Sequence, residues 1–161
     1  MAPYSFVTVW HFPAPREQVW HALTATEYSL WWPNVLGTRV LTPPEVTGVG
    51  VRLERRVRGR LPYTLRYVTT TTHHDPPNEL AYDSVGELAG RGRMVLADED
   101  GGTRVTWYWD VATTGFWMNL LAPLLRPVFA WNHHQVMAAG ERGLRDWLRR
   151  QMAPVRDGMT G

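Results

Sequence analysis

The chain has no cysteine and no lysine. Without cysteine it can offer no thiol nucleophile, no disulfide and no thiolate metal ligand. Without lysine it cannot form a Schiff base or use a lysine general base, and all 17 of its Lys+Arg positions are arginine. It also lacks any apolar run of the roughly 18 residues needed to span a bilayer, and a charged-then-apolar leader pattern at its N-terminus. A soluble, cytoplasmic protein without stable membrane insertion is expected. No Gly-rich phosphate loop, Gly-x-Ser-x-Gly elbow or HExxH pattern occurs, and no cofactor is expected. The formal net charge is only +2, which gives little support to a nucleic-acid partner, and none is expected.

What is present is apolar and aromatic. The chain has 161 residues, 44% of them hydrophobic, enough for one domain with a sizeable core. The expected domain covers 1–152, with a frayed tail over 153–161 containing Pro154, Gly158 and Gly161. The 9 tryptophans are many for this length and point to an aromatic lining as well as a core.

Periodicity gives the order of elements. Tyr4 to Phe12 reads as a strand ended by Pro13 and Pro15. Two short helices follow, Arg16 to Leu23, and Glu27 to Trp32 with Thr26 as N-cap, and Pro33 stops the second. Strands are predicted over Val35–Thr42, Val51–Arg58, Leu61–His73, Leu80–Leu88, Arg93–Asp98 and Arg104–Thr114. Gly90 and Gly92 are read as a turn or bulge, and Asp100-Gly101-Gly102 as a hairpin. The last long stretch, Phe116 to Met152, reads as a helix with Pro127 as its firm start. Leu125, Phe129, Val136, Gly140, Gly143, Leu144 and Trp147 share one side, and Glu141, Arg142, Arg145 and Arg149 the other. Two mid-helix glycines cost about 1 kcal/mol each relative to alanine. They fit the close approach of a strand backbone or a ligand. Whether Pro123 kinks or splits the helix is left open. The fold class is α+β: a curved antiparallel sheet of about six or seven strands wrapped around one long C-terminal helix, a helix grip.

That order, with Ala14-Pro15 and Val19-Trp20, Tyr28-Ser29-Leu30-Trp31-Trp32-Pro33, and the run from Trp109 to Gly143 containing Trp131-Asn132-His133 and Gly140-Glu141-Arg142-Gly143-Leu144, resembles the START-like helix-grip (SRPBCC) superfamily. The resemblance is nearest to its bacterial polyketide cyclase/dehydrase-like members. It implies a cavity between sheet and helix. It does not choose among lipid carriers, receptors, cyclases and chaperone activators. One departure is His134-Gln135, where an acidic residue is expected after Asn-His.

The candidate ligand-binding residues are Tyr63, Tyr67, Tyr82, Trp107 and Trp109 on the sheet, with Phe129, Asn132, Val136 and Gly140 on the helix. A solid aromatic core is the competing reading. His133 and Arg55 are the weak catalytic candidates: an acid or base near neutral pH, and a guanidinium on an inner strand face that needs Asp83, Glu87 or an acidic ligand group. Adjacent His73 and His74 in a strand point to opposite faces, so no metal site is expected there, and both read as surface groups. The leading function is binding of a hydrophobic, lipid-like or aromatic small molecule. The alternatives are a polyketide cyclase/dehydratase, in which a tyrosine, His133 or Arg55 polarises a carbonyl, and an interaction module with a filled core and an exposed apolar patch. Trp131, on the outer side of the helix, is the expected contact of a partner or homodimer.

Overall fold

The computed structural model describes residues 2–153. The tail expected over 153–161 lies, from residue 154 on, outside the described residues. In chain order come β1 (Ala2–Phe12), α1 (Arg16–Thr24), a 3-10 turn (Tyr28–Leu30), β2 (Val35–Thr42), β3 (Arg52–Val57), β4 (Leu65–Asp75), β5 (Glu79–Gly86), β6 (Leu88–Glu99), β7 (Gly102–Thr113), α2 (Phe116–Leu120) and α3 (Ala122–Met152). The strands form one antiparallel sheet in the order β1-β7-β6-β5-β4-β3-β2. The first strand therefore pairs with the last, while β2 to β7 meander. The curved sheet covers the inner face of α3, as the sequence predicts.

Strand alternation sets the inside. On β1, Tyr4, Trp10 and Phe12 are buried, while Ser5, Val7, Val9 and His11 are exposed. On β7, Val105, Trp107 and Val111 are buried. On the outer face of β3, Arg52 and Arg56 are exposed, and Glu54 meets Arg39 of β2 at 3.3 Å.

Several boundaries differ from the sequence reading. The second short helix is a single 3-10 turn, and Thr26 does not cap it. Tyr28 donates its hydroxyl to the Leu23 carbonyl, which ties the turn back onto α1. β4 begins at Leu65, so Leu61 and Tyr63 lie on the loop after β3. Gly90 and Gly92 do not end a strand but sit inside β6. At Gly92 the side-chain space is taken by the ring of Tyr82, its partner across the ladder: a Cβ there would stand 2.3 Å from that ring.

The long helix does not start at Pro127. It breaks at Leu121 and restarts at Ala122, with Pro123 in its first turn and Pro127 inside it. Pro123 thus opens α3 instead of kinking it, because a proline in the first turn loses no hydrogen bond the helix would have made.

The two glycines of α3 admit neither a strand backbone nor a ligand. A Cβ at Gly143 would lie 1.8 Å from the Trp31 carbonyl oxygen, and one at Gly140 would lie 2.5 Å from the Trp32 ring. They let the Trp31-Trp32 corner seat directly on the helix, where Trp32 Nε1 donates to the Val136 carbonyl at 2.9 Å. The core continues from there through Trp10, Trp20, Val105, Leu144 and Leu148.

Candidate functional site

Between the sheet and the N-terminal half of α3 the core opens into a cavity of about 420 Å³. That lies within the 300–1,000 Å³ typical of small-molecule sites. The strands supply its floor because their inward positions alternate. From β3 come Leu53, Arg55 and Val57, from β4 Leu65, Tyr67 and Thr69, from β5 Tyr82, and from β7 Trp107, Trp109 and Val111. The helix supplies the roof: Phe129, Asn132, His133 and Val136.

All but one of the residues expected to bind ligand line this space: Tyr63, Tyr67, Tyr82, Trp107, Trp109, Phe129, Asn132 and Val136, together with the catalytic candidates His133 and Arg55. Gly140 does not, since it is occupied by Trp32. Tyr67 and Tyr82 flank Trp109, with ring centroids 5.9 and 5.7 Å away. Tyr63 reaches in from its loop and meets Phe129 at 6.3 Å and Trp117 at 5.6 Å. Trp107 sits at the boundary, lining the cavity and packing edge-on against Trp10 at 5.1 Å.

The lining has members that the sequence reading did not include. Tyr4, Phe6 and Thr8 come from β1, Tyr28 and Trp32 from the turn and the residues just after it, and Met118 from α2. The β1 set was visible as a period of two, Tyr4-Phe6-Thr8-Trp10-Phe12. What was missing was the pairing of β1 with β7, which brings that face beside Trp107 and Trp109. His74, expected at the surface, is half-buried at the cavity's edge, where Nδ1 lies 3.1 Å from the Thr47 carbonyl oxygen and the ring sits 5.6 Å from Trp20. His73 is exposed.

Each polar group has a distinct state. Asn132 is buried, and its Oδ1 accepts from the Arg60 amide at 2.7 Å, tying the loop after β3 to the helix. His133 stacks on Phe6 at 3.9 Å, and its buried Nε2 has no partner among the described residues. Burial, and secondarily the neighbouring His134, push its pKa down to about 4 from the ordinary 6.5, so the ring is neutral at physiological pH. Burial raises the tyrosines: Tyr63 is pushed up to about 12, and Tyr67 and Tyr82 are also raised, so their hydroxyls stay protonated donors.

Arg55 meets neither carboxylate expected of it. Asp83 faces Arg91 at 3.7 Å, and Glu87 accepts from the Arg66 amide at 2.6 Å. Arg55 instead donates from Nη1 to Thr69 Oγ1 at 3.1 Å and lies over the Tyr28 ring at 4.7 Å.

The outer edge beside α2 is apolar. Phe116 is 82% exposed, Leu120 67%, Leu124 74% and Trp131 47%, and the neighbouring Met118 lines the cavity.

Residues 4–149 match the family described as polyketide cyclase/dehydrase and lipid transport. The chain belongs to that family. Among solved structures it is similar to the Zhui aromatase/cyclase of Streptomyces sp. R1128, with a TM-score of 0.76 and 14% identity over 94% of this chain and 96% of that one. A protein of Thermus thermophilus gives a TM-score of 0.70 at 19% identity, covering 86% of this chain and 95% of its own. The di-domain aromatase/cyclase BexL gives 0.60 at 17% identity, with 88% of this chain matched to 50% of that one. At these identities the structural likeness speaks for the fold. No curated protein matches the chain. No described helix is long and apolar enough to cross a membrane.

Proposed function

We propose that the protein binds a hydrophobic small molecule, lipid-like or aromatic and polyketide-like, between the sheet and the N-terminal half of α3. The observation that carries this reading is an aromatic cavity of about 420 Å³ that retains polar atoms without protein partners, among them His133 Nε2 and Arg55 Nε. Each 100 Å² of apolar ligand surface removed from water contributes roughly 2.5 kcal/mol. The polar atoms then orient what the walls hold. The test is native mass spectrometry of the purified protein, with organic extraction of anything retained. A retained apolar or polyphenolic molecule supports the reading. A bare chain that also fails to bind apolar ligands on titration contradicts it.

A cyclase or dehydratase using the same cavity is the second reading. It is favoured by two separate groups able to polarise a carbonyl, a neutral imidazole whose Nε2 has no partner among the described residues and the Arg55 guanidinium. It is weakened by the lack of an orienting acid: the only carboxylate along the lining is Glu45, exposed on the loop between β2 and β3. Turnover of a model poly-β-ketone substrate, lost in His133→Phe, is the result that would promote it. The filled core of an interaction module is not what the structure has. Its other mark, an exposed apolar stripe, is present from Phe116 to Trp131. That stripe supports a partner contact, including a homodimer, beside ligand binding, and sedimentation velocity tests it.

A further inference from the structure

The cavity's inward cation has no carboxylate paired with it among the described residues. Among the lining side chains Arg55 is the only arginine, and it projects from the sheet floor. Its one possible carboxylate counterpart in that lining, Glu45, is exposed on a loop. The alternation of β3 puts Arg55 inward between Leu53 and Val57, directly across the ladder from Tyr67. Its hydrogen bonding is incomplete. Nη1 donates to Thr69, Cζ lies over the Tyr28 ring, and Nε is buried with no partner among the described residues. A guanidinium taken from water without an anion is costly, and cation–π contact with one ring offsets only part of that.

The hydroxyls of the lining are donors too. Tyr28 lies under the guanidinium, Tyr67 sits directly across the ladder from Arg55, and both line the cavity with Tyr82. Tyr28 already donates its hydroxyl hydrogen bond to the Leu23 carbonyl. Tyr67 and Tyr82 line the same cavity, and neither hydroxyl has a hydrogen-bond acceptor among the described residues. Arginine Nε and two phenolic hydroxyls lining one cavity are a set of donors without an acceptor, and a carboxylate is an acceptor with no donor of its own.

We propose that the ligand is a monoanionic amphiphile whose carboxylate is held by Arg55, with Tyr67 and Tyr82 as additional donors, and whose apolar body lies along Trp109, Phe129 and Val136. This rests on the cavity-binding reading and narrows its substrate class from hydrophobic molecules in general to apolar acids. An aliphatic acid and an aromatic acid share this chemistry.

The test is competition against a neutral reporter, N-phenyl-1-naphthylamine, at pH 7.5. The competitors are two matched pairs, decanoate with decan-1-ol and 2-naphthoate with 2-naphthol. In the wild-type protein at least one acid displaces the reporter at a concentration about tenfold or more below that of its alcohol, although the alcohol is the more hydrophobic. The pair that shows the preference names the source. Arg55→Met abolishes the preference, with each competitor's displacement referred to that variant's own reporter affinity. Arg55→Lys keeps part of it, since it retains charge but loses the fork. Equal displacement by acid and alcohol in the wild type overturns the proposal without recourse to any variant, as does a preference that survives Arg55→Met. A reporter that does not bind the wild type overturns the cavity reading itself, which is a different result from a reporter that binds and shows no acid preference.

Discussion

The two halves of α3 look onto different interiors. The C-terminal half presses Gly140, Gly143, Leu144 and Leu148 against Trp10, Trp20, Trp31 and Trp32, and Leu144 is 0% exposed. The N-terminal half holds Phe129, Asn132, His133 and Val136 above a space floored by tyrosines. One end is closed by glycines that remove side-chain volume so that an aromatic corner can dock. The other is kept open by aromatic rings that lean on one another, Tyr67 and Tyr82 on Trp109, Tyr63 on Phe129. Stability is concentrated where the helix touches something, and binding where it does not. Filled cores tolerate neither added nor removed atoms, whereas a cavity wall can lose atoms without creating a new void.

The sharpest way to break the comparison is to add volume at the closed end. Gly143→Val puts a side chain where the Trp31 carbonyl already sits, 1.8 Å from the Cβ position, and backbone on both sides prevents relief. The expected cost exceeds about 4 kcal/mol, read as loss of cooperative unfolding. Next is removal of volume. Leu144→Ala should cost about 2–5 kcal/mol in denaturant unfolding and leave reporter affinity nearly unchanged. Phe129→Ala, at the open end, should cost about 1 kcal/mol of stability yet weaken reporter binding about tenfold. The assignment of stability to one end and binding to the other fails if these two variants exchange their effects.

A subtler contrast is pH. His133 is held neutral, with a folded-state value of about 4 below the ordinary 6.5. As pH falls below about 6.5 the unfolded chain takes the proton first, so its stability contribution is full above that value, is lost progressively down to about pH 4, and falls no further below it. The loss amounts to about 3 kcal/mol at most. His133→Phe, which preserves a ring against Phe6, should flatten this part of the stability profile. A profile identical to wild type would remove the buried-imidazole account. Smallest of all is the outer face: Arg56→Ala should change stability by no more than about 0.5 kcal/mol and leave binding untouched.

The fold was legible because periodicity carries it. Leu53, Arg55 and Val57 on one strand, and Val105, Trp107, Trp109 and Val111 on another, alternate as the sheet requires, and all but Val105 line the cavity. The helix breaks were less legible, because Pro127 and Pro123 are both acceptable in a first turn and only the break at Leu121 chooses between them. The neighbours of Gly140 and Gly143 were hidden for a different reason. Glycine announces close approach without saying of what, and here a turn more than 100 residues earlier in the chain fills the gap. Arg55 was legible as an inward cation. That Asp83 and Glu87 are engaged elsewhere could be learned only from the register of β4, β5 and β6.

The central claim, a ligand cavity under one half of α3 and a closed core under the other, is tested most directly by fluorescence titration of N-phenyl-1-naphthylamine into the wild-type protein and into Val111→Trp, which fills the cavity from β7. The account predicts saturable binding near one probe per chain, with energy transfer from Trp107 and Trp109, and a loss of about tenfold or more in affinity in the filled variant. Absence of saturable binding in the wild type, or equal affinity in the filled variant, would contradict it.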